Sequence, residues 1–420
     1  MKTKNMPRQT TSFSVAAWWI CAGLMLFGMS GCGPRHPVTL AQSGTAARTN
    51  PPESTVDVYF DDSPILIRAQ LNDVSTPYTF MLDTGGFTII RPEVAAELGL
   101  PKGVAMWIYG ASGRYQDVNM LTLDSVRIGD MEVRDCGAGV SDFADKSWPP
   151  ELAGYLGSNV LRHFRVSIDY RENTVTLADS VMDEPNPPGA IEIPFTFDSE
   201  ILFSPVVQCR IDDRLDGEAV IDTGFFGVVA VHVDTVAQTD AFADDAVIAA
   251  RGQVSTGVFG VIDEPNYAFR LREFRLGDKL FRHLLGRSHQ SISYEMLVGN
   301  DFLQAYDVIL DYPAKKMILI PNGEPMGNNP ITHGVVLVQD EGKTIVAGVW
   351  EDSAAARAGL DIGDEILRVN GLDTTKLSAG KVWSLLEDSG DDEVKLEYDR
   401  AGVRRTISLV RAPLVPIVDD

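Results

Sequence analysis

Two Asp-Thr-Gly tripeptides carry the chemistry that this sequence offers: Asp83-Thr84-Gly85 and Asp222-Thr223-Gly224. One such tripeptide says little, because average composition yields it at about one position in several thousand, and alone it reads as an ordinary turn. A pair in matched apolar settings says more. Phe80-Met81-Leu82 precedes the first and Ala219-Val220-Ile221 the second, so each Asp closes a strand-like run. Each Gly lets the backbone turn and bring amide N–H groups to the carboxylate. Two carboxylates close enough to share one proton can divide general acid–base work, one acting as base on a water while the other protonates the carbonyl oxygen under attack. That proton belongs to the pair, and neither Asp then has a private pKa.

Something must hold the two copies face to face, and an internal repeat supplies it. Ser63-Pro64-Ile65-Leu66-Ile67 recurs in kind as Ser204-Pro205-Val206-Val207, and Arg127-Ile128-Gly129-Asp130 as Arg275-Leu276-Gly277-Asp278. Leu156-Gly157-Ser158-Asn159-Val160-Leu161, continuing to Val166-Ser167-Ile168-Asp169-Tyr170, aligns without a gap to Val298-Gly299-Asn300-Asp301-Phe302-Leu303 and Val308-Ile309-Leu310-Asp311-Tyr312. With the tripeptides these are four landmarks in one order, the mark of a duplicated unit. Short β-rich runs broken by Gly, Asp, Asn and Pro lie between them, with a rare helical stretch from about Pro92 to Leu98-Gly99.

Over residues 56–321 this pattern resembles the aspartic protease superfamily, and lobes of this size are most similar to retropepsins fused in tandem. The resemblance implies a mainly β chain with a pseudo-twofold pair of lobes, residues 55–180 and 181–322, and an endopeptidase whose catalytic residues are Asp83 and Asp222. It implies that Thr84 and Thr223 hydrogen-bond across the pseudo-twofold axis, and that Leu156-Gly157 and Val298-Gly299 pack behind the active-site strands. Tyr109-Gly110-Ala111-Ser112-Gly113 falls where a flap hairpin belongs, with Tyr109 or Tyr115 as its aromatic, and Val254-Ser255-Thr256-Gly257 is either its partner or an ordinary surface hairpin. The chain departs from the family one position after each Gly, where Gly86 and Phe225 replace the usual Ser, Thr or Ala. Neither donates a side-chain hydrogen bond that would favour the ionised pair, so activity is expected under mildly rather than strongly acidic conditions. Phe225 could also crowd the cleft. A peptide-binding scaffold with a retired pair is the alternative; the intact Asp in both copies favours the peptidase.

The chain's 36 basic and 59 acidic residues give a net charge of −23, which repels phosphate backbones and argues against nucleic acid as a partner. Lys2, Lys4 and Arg8, then an apolar run over 13–27 shorter than the roughly 20 residues of a spanning helix, read as a leader over 1–31. Its end, Met29-Ser30-Gly31-Cys32, resembles a bacterial lipobox, which implies a lipid on Cys32 and a membrane-anchored place in the cell envelope. An ordinary signal peptide with an incidental Cys is the other reading. Residues 32–54, rich in Pro, Ser, Thr and Gly, suit a flexible tether and are too short for a pepsin-type inhibitory prosegment. Cys136 and Cys209 allow at most one bridge, and neither a Cys-x-x-Cys nor a His cluster suggests a metal; a carboxylate pair needs no cofactor.

Beyond a Pro/Gly linker at 323–330 the pattern changes. His333-Gly334-Val335-Val336-Leu337, Ser353-Ala354-Ala355-Ala356-Arg357-Ala358-Gly359-Leu360 and Gly363-Asp364-Glu365-Ile366-Leu367-Arg368-Val369-Asn370-Gly371 closely resemble a bacterial PDZ domain, here over 331–413. The resemblance implies an α+β domain in which Gly334, Val335 and Val336 form the loop that captures the terminal carboxylate of a C-terminal peptide ligand. Val382 and Leu386, one turn apart on a helix, either line that groove or fill the small core. Such a groove would recruit protein or peptide substrates to the lobes, or gate them.

Overall fold

The structure, a computed structural model, describes residues 36–47, 52–60, 64–109, 115–142, 151–179, 186–242, 247–257, 260–261, 265–289, 292, 294–387 and 392–417. The leader and Cys32 lie outside these residues. No described helix is long and apolar enough to cross a membrane.

Each half of the repeat folds into a barrel-like β lobe around the strand that leads to its Asp. In the first, Tyr78–Asp83 lies between antiparallel Ile65–Leu71 and parallel Leu152–Gly157, with Leu156 opposite Leu82 and Gly157 opposite Asp83. In the second, Leu215–Ile221 lies between antiparallel Pro205–Ile211 and parallel Met296–Val298, with Val298 opposite Ile221. Pro205–Ile211 shows why these runs become strands: Val207, Cys209 and Ile211 point into the core while Gln208 and Arg210 face solvent, the period-two alternation of a half-buried sheet. The helix Pro92–Glu97 ends at Leu98, and Gly99 follows in the left-handed region at φ 63°, as a glycine after a helix C-cap does.

A six-stranded sheet joins the lobes. Residues 165–169 and 306–311 form its centre, pairing Val166 with Leu310 and Ile168 with Val308. The last landmark of the repeat therefore meets its own copy, as a pseudo-twofold axis requires.

The expected tether is structured on its C-terminal side. Pro37–Ala41 is a short helix, Thr45–Ala46 pairs with Arg134 and Val133, and Glu53–Asp57 pairs with Thr174–Ala178. Leu40 and Ala41 are buried against Phe87, Val118 and Met120, and burying one Leu is worth about 1.5–3 kcal/mol. Those two apolar side chains convert a stretch of tether-like composition into part of lobe one.

The C-terminal domain is closed by Ile331–Thr332 pairing with Ala412–Pro413. It does not hang on a free linker. Lys343–Trp350 extends the sheet of lobe two by pairing with Ile248–Gly252, and Arg251 bonds Asp361 at 3.0 Å. After the domain the chain returns, burying Leu414 and Val415 in the main core. The Arg270 guanidinium ties both connections, donating to the Val415 carbonyl at 2.6 and 3.0 Å and to Asn329 Oδ1 at 3.0 Å. Burial lowers the pKa of that Arg to about 10.

Candidate active site

Reciprocal hydrogen bonds through two threonines bring Asp83 and Asp222 together. Thr84 Oγ1 donates to the Ile221 carbonyl at 2.7 Å and accepts from Thr223 N–H at 3.0 Å, while Thr223 Oγ1 donates to the Leu82 carbonyl at 2.7 Å and accepts from Thr84 N–H at 3.1 Å. Both threonines are fully buried. Each hydroxyl thus fixes the other lobe's strand end, one residue before the Asp, and the cross-axis hydrogen bonds expected of Thr84 and Thr223 are present.

A second reciprocal pair lies behind the first. Ser158 Oγ meets Tyr312 Oη at 2.7 Å, and Asn300 Oδ1 accepts from Tyr170 Oη at 2.7 Å, so each lobe's short helix is bonded to the tyrosine of the other lobe's repeat. Ser158 Oγ also lies 2.7 Å from the Thr84 carbonyl, linking the two layers. These four residues were not singled out in the sequence, although all sit in its repeated landmarks and the signal was there: a polar residue at equivalent places in otherwise apolar segments.

The carboxyls are 7% and 8% exposed and hydrogen-bond each other. Gly85 N–H donates to Asp83 Oδ1 at 3.1 Å and Gly224 N–H to Asp222 Oδ1 at 2.8 Å. Burial is the main influence on both, raising Asp83 well above the usual carboxylate range and Asp222 to a lesser degree. For Asp83 the neighbouring Asp222 charge adds to this, and the glycine amides oppose it. One proton is therefore retained by the pair to higher pH than an exposed Asp would hold it.

Space around the pair explains its glycines. A Cβ at Gly85 would lie 2.4 Å from Asp222 Cγ, and one at Gly86 only 2.3 Å from Asp83 Oδ2. Serine at position 86 is thus not a neutral way to add a hydroxyl. Gly86→Ser is expected to push the Asp83 carboxyl aside and cut kcat sharply, with the binding of a peptide inhibitor falling alongside; a simple displacement of the acid limb at unchanged kcat would contradict this packing. Phe225 presents the opposite case. Its ring lies over Gly227, where an added Cβ would stand 2.4 Å from the ring, and packs with Val206, Val220 and Leu297 on lobe two. The first lobe has Thr88 at the place of Gly227, so the large residue two positions earlier occupies room that the missing side chain leaves.

Hairpins stand where flaps were expected. Val104–Tyr109 pairs with the start of Tyr115–Ile128, and Trp107 on it is 73% exposed. Gly110 and Gly113 lie outside the described residues, and only the backbone of Tyr109 is described. In lobe two Thr256–Gly257 pairs with Gly260–Val261. Ile108 of the first hairpin and Phe226 of the second lobe pack on one apolar cluster of Leu66, Met81, Ile89, Leu152 and Tyr155. Tyr294 and Asp198 were not anticipated: Tyr294 Oη is 3.5 Å from Asp198 Oδ2, and burial, then the charges of Asp198, Asp222 and Asp83, raise the phenol's pKa. Single residues in loops offer no periodic signal by which to find them.

Cys136 and Cys209 are buried and free, and burial pushes the Cys136 thiol up to about 12. No group of three or more His, Cys, Asp or Glu that could hold a metal occurs among the described residues.

In the C-terminal domain, Gly334 (φ 82°), Val335 and Val336 begin the strand Val335–Asp340, which among the described residues pairs along one edge, with Lys343–Trp350. The helix Ala379–Glu387 packs beside it. Val382 and Leu386 are 0% and 1% exposed and belong to the domain's core. They fill it rather than line a groove, because their one-turn spacing puts both on the helix face turned to the sheet. Trp383, at 37% exposure, is on the outer side.

Residues 67–160 match the family model of aspartyl proteases, and residues 333–410 that of PDZ domains. The chain is mainly β, with aspartyl-protease-like lobes and a C-terminal PDZ domain. Among solved structures it is similar to an aspartic proteinase from Irpex lacteus (12% identity, 66% of this chain and all of that one, TM-score 0.43). It is also similar to a retropepsin-like aspartic protease from Rickettsia conorii (23% identity, 33% and 94% coverage, TM-score 0.25) and to conglutin gamma from lupine seeds (13%, 66% and 98%, TM-score 0.40). No curated protein matches the sequence.

Proposed function

We propose that the chain is an aspartic endopeptidase in which Asp83 and Asp222 share a proton, activate water and cleave extended polypeptide bound between the lobes, the PDZ domain presenting the substrate. The observation that carries this reading is the reciprocal threonine lattice, which holds two buried carboxyls in hydrogen-bond contact. A lone buried Asp would be a liability; a pair that retains one proton is the acid and base of a water attack. The PDZ domain supports the reading because it is tied to lobe two by strand pairing and by Arg270 rather than by a free linker.

The sign of the pH dependence follows from the pair. Both carboxyls are raised, so the singly protonated form appears and disappears at higher pH than for exposed aspartates, and both limbs of the pH–rate profile move up. Cleavage of a denatured protein, followed against pH with and without pepstatin, is expected to peak in mildly acidic solution and to be abolished by the inhibitor. Because one chain contains both carboxyls, specific activity should be constant on dilution. A strongly acidic optimum, or activity per mole that falls on dilution, would refute the reading.

The same proposal places the protein on a bacterial envelope membrane through a lipid on Cys32. Cys32→Ser should move it to the soluble fraction, and retention of a processed mutant would remove the anchor from the account.

A further inference from the structure

Thr332 and His333, which lead into the PDZ strand Val335–Asp340, already hold a carboxylate of the chain itself. Glu387 closes the helix Ala379–Glu387, and its side chain turns onto the loop. His333 N–H donates to Oε1 and Oε2 at 3.1 and 3.2 Å, Thr332 Oγ1 to Oε1 at 3.0 Å, and His333 Nδ1 lies 3.2 Å from Oε2. Glu387 is 7% exposed and His333 0%. The next amide, Gly334 N–H, is taken by Thr332 Oγ1 at 3.0 Å.

This placement runs against local electrostatics. A helix C-terminus carries about half a negative charge and favours cations in its last turn, yet this last turn has no basic residue. Arg411 donates to the Glu387 carbonyl at 3.3 Å and pairs with the Asp392 carboxylate at 3.2 Å. The loop donors therefore hold the buried carboxylate where the helix disfavours it. A peptide's terminal carboxylate entering beside Val335 and Val336 would meet the His333 and Gly334 amides already bonded and a second negative charge close by. An internal segment brings no charge. It needs only the main-chain groups on the open edge of the strand, which strand addition supplies.

We propose that this PDZ domain binds internal extended segments of unfolded polypeptide rather than free C-termini, the Glu387 carboxylate being already held at the entrance to the strand. The inference rests on the reading of the domain as a peptide binder. It suits an endopeptidase, whose substrate must be held at a distance from either end.

The test is hydrogen–deuterium exchange of the full chain carrying Asp83→Asn, titrated with an apolar octapeptide ending in valine, once as the free acid and once as the C-terminal amide. Protection of residues 335–340 reports binding at this edge and not in the protease cleft. The amide should bind at least as tightly as the acid, and Glu387→Gln, which keeps the shape and removes the charge, should tilt preference toward the acid by about tenfold or more, the equivalent of roughly 1.4 kcal/mol. An acid that binds tenfold tighter than the amide with Glu387 in place overturns the inference and leaves the peptide-binder reading standing. If neither peptide protects the strand, that reading falls and the inference with it. Should Glu387→Gln loosen the domain, the acid–amide comparison on the native residue decides alone.

Discussion

Replacing Asp83 with Asn is expected to abolish the proposed peptide cleavage and to stabilise the protein near neutral pH. The activity loss should be about 10²–10⁴-fold or more, the range that a positioned acid or base contributes. The gain in stability follows from linkage. Asp83 has a folded-state pKa well above its ordinary value, chiefly through burial and then through the Asp222 charge. The folded chain therefore binds more protons than the unfolded one, and stability falls as pH rises from the unfolded carboxyl range through the folded value. Asn mimics the protonated acid at every pH. The melting temperature of Asp83→Asn should exceed the wild type's near neutrality, by about 1–2 °C for each kcal/mol relieved in a chain of this size, and converge with it in strong acid, where both carboxyls are protonated in either state. Equal melting temperatures at neutral pH would mean that the pair is not strained.

The second large effect belongs to the threonine lattice. Thr84→Val keeps shape and branching but removes the hydroxyl, leaving Ile221 C=O without its donor and Thr223 N–H without its acceptor. Each buried group left unpaired costs about 1–3 kcal/mol, so urea unfolding should report a loss of about 2–6 kcal/mol for the two. Thr84→Ser, which restores the hydroxyl, should recover most of it. Because the lattice joins the lobes, Thr84→Val and Thr223→Val should be strongly non-additive in a double-mutant cycle. A Thr84→Val protein as stable as wild type would show that the interlobe sheet alone aligns the carboxyls.

The features legible in the sequence were those written twice. Both Asp-Thr-Gly turns, the strands before them and the segments behind them are local patterns, and a period-two run ending in a turn dictates its own structure. The second copy also announced the axis. What stayed hidden depends on contacts distant in sequence. Phe225 read as an obstruction because its partner is an absence: only in three dimensions does Gly227 open a place for its ring. Pro37–Ala41 has the composition of a tether, and the faces of Phe87 and Met120 that capture Leu40 come from far along the chain. Leu414 and Val415 follow the last PDZ strand and gave no periodic hint that they return to the lobes. Val382 and Leu386 were correctly placed on a helix, but spacing identifies a face and not what it faces. Glu387, the next residue along, is chemically the more informative one, and it was overlooked because a Glu ending a helix usually points to solvent.

If the proposed function holds, one carboxyl from each lobe forms a single peptide-cleaving pair. Incubating the purified full chain with a denatured protein under mildly acidic conditions, and identifying new N-termini by mass spectrometry, tests it most directly. Cuts within the substrate chain are expected, and they should vanish with pepstatin and vanish equally in Asp83→Asn and Asp222→Asn. Cuts that persist in either variant, or a wild type that makes none at any pH, would contradict it.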